Sequence, residues 1–124
     1  MPAVKELWDR AGALLNQRQE PRIQVGSVQP VGLRLLKGDG PLAPWLVADI
    51  LDLSHGGMAL LLSSAPPMEL DQAVLLDVSA HPDFGRVRLP AYLRWFVVSP
   101  VVITVGVQFD QPLVVLPQLA QSRK

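Results

Sequence analysis

The chain contains no cysteine, which excludes disulfide bonds, thiol catalysis and thiolate metal sites. Its only imidazoles are His55 and His81, so we expect no histidine-rich metal site. No apolar run approaches the ~18 residues that a membrane-spanning helix requires. The N-terminus mixes charged with apolar residues and lacks the apolar core of a signal peptide. We therefore expect a cytoplasmic protein with no metal, no cofactor and no membrane insertion.

Net charge is also absent, because 11 basic residues balance 11 acidic ones. Binding to a nucleic acid polymer through its backbone depends on a basic face, so we do not expect that partner. Aromatic residues make up only 6% of the chain, whereas barrels that bind single strands, such as OB-folds, use exposed aromatics along a basic groove. An OB-fold that binds single strands is thus a third and weaker hypothesis.

The length of 124 residues suits one domain. Apolar residues recur every three or four positions between residues 2 and 16, which predicts a helix. Pro21 disfavours helix at the residue before it. We predict an N-terminal helix at residues 1–17, a barrel region at 18–112 that includes an extended arm at 18–22, and a tail at 113–124 that forms at most a frayed helical turn.

From Ile23 onward the apolar residues alternate with period two, which is typical of strands with one buried face. About six such strands, separated by turns rich in proline and glycine, predict a mainly β protein, either a small antiparallel barrel or a sandwich. The positions that we predict to face its core include Val31, Leu33, Leu35, Leu51, Leu53, Val74, Leu76, Val78, Leu89, Ala91, Leu93 and Trp95.

No pattern in the sequence predicts a catalytic site. Asp49 and Asp52 are separated by an odd number of positions, so on a strand they point to opposite faces and cannot pair as acid and base. Ser54 and His55 are adjacent and diverge, and the glycine two positions before the serine of a nucleophile elbow is missing. We expect a protein that is not an enzyme.

The segment DLSHGGM, residues 52–58, is the most distinctive polar stretch. On a strand Asp52 and Ser54 share one side, and we expect them to face outward at the surface while Leu53 faces the core. Gly56 and Gly57 have no side chains, so a ligand can approach their backbone, and their N–H groups can point at an anion.

Arg18 and Arg22 add cationic groups if the arm folds over this loop. Arginine binds phosphate and the O6 and N7 atoms of guanine in a bidentate manner, and a carboxylate such as Asp52 accepts from guanine N1–H and its amine. The set indicates a site for a guanine nucleotide. The alternative, left open by these residues alone, is a turn capped by Asp52 or Ser54 beside two solvated arginines.

The two motifs together resemble the PilZ domain family, whose signature is RxxxR followed after a spacer by [D/N]xSxxG. Here RQEPR at residues 18–22 matches the first part and DLSHGG at residues 52–57 the second. The resemblance extends from about Arg18 to Gln111 and implies a six-stranded antiparallel barrel that binds cyclic di-GMP, a bacterial second messenger.

Carried over by motif position, the resemblance implies that Arg18 and Arg22 hold phosphates and the Hoogsteen edge of guanine. Asp52 and Ser54 contact guanine and phosphate, and Gly57 allows the ligand to approach. Gln17 occupies the position before the first arginine, which in this family influences whether one nucleotide or an intercalated pair binds.

Two further residues are weaker candidates. Gly56 offers backbone donors in the loop. Arg94 lies with Arg86 and Arg88 on an outward strand face, which is either solvated or supplies an auxiliary phosphate contact.

The leading hypothesis is a cyclic di-GMP receptor whose arm closes over the ligand and alters binding to an unidentified downstream protein. A homodimer is compatible with it. The second hypothesis is a PilZ-like adaptor of pilus or motility assembly that does not bind nucleotide.

Overall fold

The computed structural model describes residues 23–24, 27–36, 43–64 and 66–121. The predicted N-terminal helix at residues 1–17 and the arm at residues 18–22 lie outside these residues. Within them the regular elements are one short 3₁₀ turn and seven strands: β1 (Ile23–Gln24), β2 (Val31–Leu35), β3 (Leu46–Leu53), β4 (Gly57–Leu62), β5 (Ala73–Asp77), the 3₁₀ turn Pro82–Phe84, β6 (Arg88–Val98) and β7 (Ile103–Phe109). No helix in the described part of the chain is long and apolar enough to cross a bilayer.

The strands close into a six-stranded antiparallel barrel in which β1 and β2 share the place of one strand. Each of β2, β3, β4, β7, β6 and β5 pairs with the next, and β5 pairs back with β2. The short strand β1 pairs with the end of β3, along the edge whose other half is taken by β2. β1 and β2 therefore occupy one barrel position, and the prediction of a six-stranded antiparallel barrel is confirmed.

Alternation along the strands fills the barrel interior. Val31, Leu33 and Leu35 are buried, and so are Val74, Leu76 and Val78, as their period of two predicts. The facing strand β7 contributes a further buried set, which is Ile103, Val105, Val107 and Phe109. One cluster of aliphatic side chains thus forms the core, and the polar loops lie at the ends of the barrel.

The tail after β7 is ordered, extended and free of helix as far as Gln121. We call residues 111–121 the C-terminal strap. Leu113, Leu116 and Leu119 pack against the core, and Gln121 forms a bridge with Val28. This segment makes its hydrogen bonds with the barrel and forms no helical turn within the described residues.

His81 fixes the strap to the chain segment ahead of β2. Its ring is fully buried. The backbone N–H of Ala120 donates to Nδ1 at 2.9 Å, so Nδ1 is the acceptor. Nε2 lies 2.7 Å from the carbonyl oxygen of Gln29 and carries the proton that it donates there, which identifies one neutral tautomer.

Candidate functional site

The loop between β3 and β4 is closed by the Ser54 hydroxyl. The N–H of Gly57 donates to Ser54 Oγ at 3.2 Å, and the N–H of Ser54 donates to the Gly57 carbonyl at 2.9 Å. Ser54 is only 1% exposed. The capping alternative is therefore correct for Ser54, and the expectation that the Gly57 N–H is free for an anion is wrong.

Two backbone hydrogen bonds fasten the same loop to the barrel. The carbonyl of Gly56 accepts from the N–H of Phe109 at 2.8 Å, and the carbonyl of His55 accepts from the N–H of Leu113 at 2.7 Å. The loop is thus held between the end of β7 and the strap. A site built on it has a fixed geometry on that side.

A β-bulge decides which way Asp52 faces. Ile50 pairs with Leu60 and Asp52 pairs with Ala59, so Leu51 is an extra residue on β3. Ile50 and Leu53 both enter the core. Strict alternation would place Asp52 on the side of Ile50, but the bulge turns it to the outer face. The predicted orientation is correct, while the prediction that Leu51 shares a core face with Leu53 is wrong.

Asp52 begins a row of residues that crosses four strands on the outer face of the barrel. Asp52 pairs with Ala59, Ala59 with Gly106, and Gly106 with Trp95. Directly paired residues project to the same side of a sheet. Asp52 is 4% exposed and Ala59 1%, so this row is covered, and the expectation that Asp52 and Ser54 lie at the open surface is wrong.

Trp95 lies in this outer row and not in the core. Leu93 pairs with Val107 and Trp95 with Gly106, which makes Arg94 a second bulge residue. The indole lies directly on Gly106, where a Cβ atom would overlap its five-membered ring. The expectation of a core tryptophan fails because the bulge turns the side chain outward.

Arg94 is held by neighbours on the same outer face. Its Nε donates to Gln108 Oε1 at 2.7 Å, and its Nη1 to Asp71 Oδ1 at 2.5 Å. The guanidinium lies 5.5 Å from the Tyr92 ring centroid. Because Gln108 pairs with Gly57, Arg94 lies two strands from the loop, and its role as an auxiliary phosphate contact stays a prediction.

The start of the described chain lies beside the second motif. Ile23 pairs with Leu53, and Gln24 pairs with Asp52. Gln17, Arg18 and Arg22 lie outside the described residues, but Arg22 directly precedes Ile23 in the sequence. Ile23 and Gln24 therefore lie beside the end of β3 that carries the second motif.

The profile of the PilZ domain matches residues 16–116, which include both motifs and the whole barrel. The chain belongs to the PilZ domain family. No curated protein sequence matches it.

Two solved structures have a similar fold. The PilZ domain of YcgR from Escherichia coli, described with c-di-GMP, has 19% identity and a TM-score of 0.52, and the match covers 76% of this chain and 78% of that one. The MrkH–c-di-GMP complex of K. pneumonia has 20% identity and a TM-score of 0.53, and the match covers 75% of this chain and 44% of that one.

In this PilZ domain the sequence patterns did not reveal that Ala59, Gly106 and Trp95 form a row with Asp52. Gly106 interrupts an otherwise bulky strand, VVITVGVQF, and a glycine inside a strand marks a bulge or a close approach. Gly106 therefore indicates a close approach, but the bulge at Arg94 prevents the sequence pattern from identifying Trp95 as the residue that approaches it. Among the described residues, no group of three or more His, Cys, Asp or Glu side chains could hold a metal ion.

Proposed function

We propose that this PilZ domain is a receptor for cyclic di-GMP that acts by binding and performs no chemistry. The observation that carries the proposal is the pairing of Ile23 with Leu53. Ile23 follows Arg22 in the sequence, and its partner Leu53 lies within the second motif. This pairing supports a site to which both motifs contribute.

The arm is short enough to deliver both arginines to this place. An extended chain spans at most about 3.6 Å per residue, so Arg18, five residues before Ile23, starts within roughly 18 Å of it. Both guanidiniums offer the paired donors that phosphate and guanine accept. Asp52 supplies the complementary acceptor for the N1–H and amine of guanine.

Ser54 and Asp52 have different roles in the proposed site. The Ser54 hydroxyl already bonds Gly57, so its contribution is to hold the loop in shape beside the ligand. Asp52 is 4% exposed, so ligand binding requires a rearrangement on the outer face. That rearrangement is the switch, and ligand drives it only by binding the rearranged form better. It alters what a downstream protein can contact.

The choice of ligand is supported by the two motifs and by the two similar structures, both of which are described with c-di-GMP. Calorimetric titration of the full chain with cyclic di-GMP tests it. A bidentate arginine contact is worth about 1–3 kcal/mol, so Arg22→Ala and Arg18→Ala should each weaken binding about tenfold or more.

Arg86→Ala is the matched control, because Arg86 is exposed and lies outside both motifs. It should bind as the wild type does. Unchanged affinity in both arm variants would show that the arm takes no part in the site.

One observation favours the adaptor alternative. The hydrogen bonds of Ser54 with Gly57 explain that serine without any ligand. If the wild-type chain gives neither heat nor amide shifts with cyclic di-GMP, the receptor proposal is wrong and the adaptor hypothesis stands.

A further inference from the structure

A cluster of two arginines and a tryptophan lies on the outer face of β2, β5 and β6, and none of the three residues belongs to either motif. Trp45 lies over Gly32 of β2, where a Cβ atom would come within 3.1 Å of the indole Cε3. The Arg34 Cζ lies 4.5 Å from the Trp45 ring centroid, and the Arg88 Cζ lies 4.8 Å from it. One indole thus orders two guanidiniums side by side.

The cluster holds more positive charge than its neighbours neutralise. Asp77 Oδ2 lies 3.3 Å from Arg88 Nε, while Asp77 Oδ1 accepts from the backbone and hydroxyl of Ser79. These hydrogen bonds from Ser79, with the nearby Arg88, lower the pKa of Asp77, so it is ionised and fully engaged.

Arg34 is left without such a partner. Its Nε is buried and has no hydrogen bond among the described residues. Buried polar atoms of this kind are normally satisfied, and a guanidinium has five donors with a strong preference for carboxylate. Arg34 is partly exposed, so its remaining guanidinium donors can reach an acceptor on another molecule.

A mainly apolar cavity of about 300 Å³ adjoins the indole. Its lining includes Pro30, Leu46, Val47 and Ala80 together with the polar residues Asp77 and Ser79. Val47 is 70% exposed. The volume is more than one aliphatic side chain needs, so such a group can enter, and the site combines a small pocket with an unmatched cation.

We propose that this Arg34–Trp45–Arg88 cluster is a docking site for an acidic segment of another protein. A carboxylate of the segment binds Arg34, and an adjacent aliphatic side chain enters the cavity beside Trp45. Tryptophan and arginine are the residues that most often dominate protein interfaces. Charge complementarity supports an acidic partner, since Asp77 is the one carboxylate that pairs with either Arg34 or Arg88 among the described residues.

The proposal does not rest on nucleotide binding, because Arg34, Trp45 and Arg88 belong to neither motif. A free phosphate would leave the apolar cavity unused, and an anionic membrane is usually bound by several clustered lysines or arginines. Both are outcomes that the test distinguishes.

The test uses the full chain and an acetylated, amidated pentapeptide of four glutamates around one leucine. The NMR signal of the Trp45 indole N–H, assigned with Trp45→Phe, reports on binding. We expect a saturable shift that Arg34→Gln or Arg88→Gln weakens at least fivefold. Arg86→Gln removes the same charge nearby without contacting the indole, so it should change affinity less than twofold.

The controls separate the local site from general charge attraction. A peptide with glutamine in place of glutamate, and one with serine in place of leucine, should each bind at least fivefold more weakly. No saturable shift, or an equal loss in Arg86→Gln, overturns the proposal. An equal shift with inorganic phosphate, or Arg34-dependent sedimentation with phosphatidylglycerol vesicles, also overturns it.

Discussion

The substitution His81→Phe tests whether one buried side chain fastens the C-terminal strap to the barrel. His81 donates to the Gln29 carbonyl at 2.7 Å and accepts from the Ala120 N–H at 2.9 Å. Its ring also meets Phe84 edge to face, with centroids 6.2 Å apart. Phenylalanine keeps an aromatic ring in this place but removes both hydrogen bonds.

The expected loss follows from the two backbone groups left behind. A buried donor or acceptor without a partner costs about 1–3 kcal/mol. Gln29 and Ala120 are only partly buried, so water replaces some of what is lost. We expect the free energy of unfolding to fall by about 2–4 kcal/mol, which is a large share of the 5–15 kcal/mol typical of a domain.

Urea denaturation measures this change. With a slope of about 2 kcal/mol per molar urea, the midpoint should fall by roughly 1–2 M, and the Ala120 amide should lose protection from hydrogen exchange. His55→Phe is the matched control, because no hydrogen bond of the His55 side chain is found among the described residues. A loss below about 0.5 kcal/mol in His81→Phe, or an unchanged Ala120 exchange rate, would refute this account of the strap.

Two further predictions concern the outer face. Gly106→Ala should destabilise the fold by about 1–3 kcal/mol because the new methyl group displaces the Trp95 indole. In a double-mutant cycle, the same change made in the Trp95→Ala variant should cost at least about 0.5 kcal/mol less. Purely additive losses of stability would contradict the contact. Since the pKa of Asp77 is lowered chiefly by Ser79, its ionisation stabilises the fold above the pKa of the unfolded chain, near pH 4, and this stability is lost as the pH falls through the lower, folded value. Ser79→Ala should reduce the acid-side loss between pH 5 and pH 2 in thermal melts, and an unchanged profile would contradict that assignment.

The parts of the fold that depend on local alternation could be predicted from the sequence. Val31, Leu33 and Leu35 on β2 are buried as their spacing indicates, and the number of barrel strands follows from the punctuated apolar runs. The family resemblance required only the residues at 18–22 and 52–57. Each of these signals lies within one short segment.

The conformation of the tail depends on partners far along the chain. Leu113, Leu116 and Leu119 have a spacing that also suits a helix, but the backbone N–H groups of this strap are used by the His55 carbonyl and by the side chains of Asp83 and His81. The sequence of the tail does not indicate that these acceptors lie beside it. The extended conformation results from contacts that only the closed barrel creates.

The two bulges show why the site was harder to predict than the barrel. A bulge is a mismatch of register between two strands, so neither strand alone encodes it. Leu51 shifts Asp52 to the outer face, and Arg94 shifts Trp95 to the same face on a different strand. Without the bulge at Leu51, Asp52 would point into the core, and without the bulge at Arg94, Trp95 would do so. Asp52, the described residue proposed to contact guanine, therefore lies where the regular pattern breaks, and strict alternation is least reliable at that position.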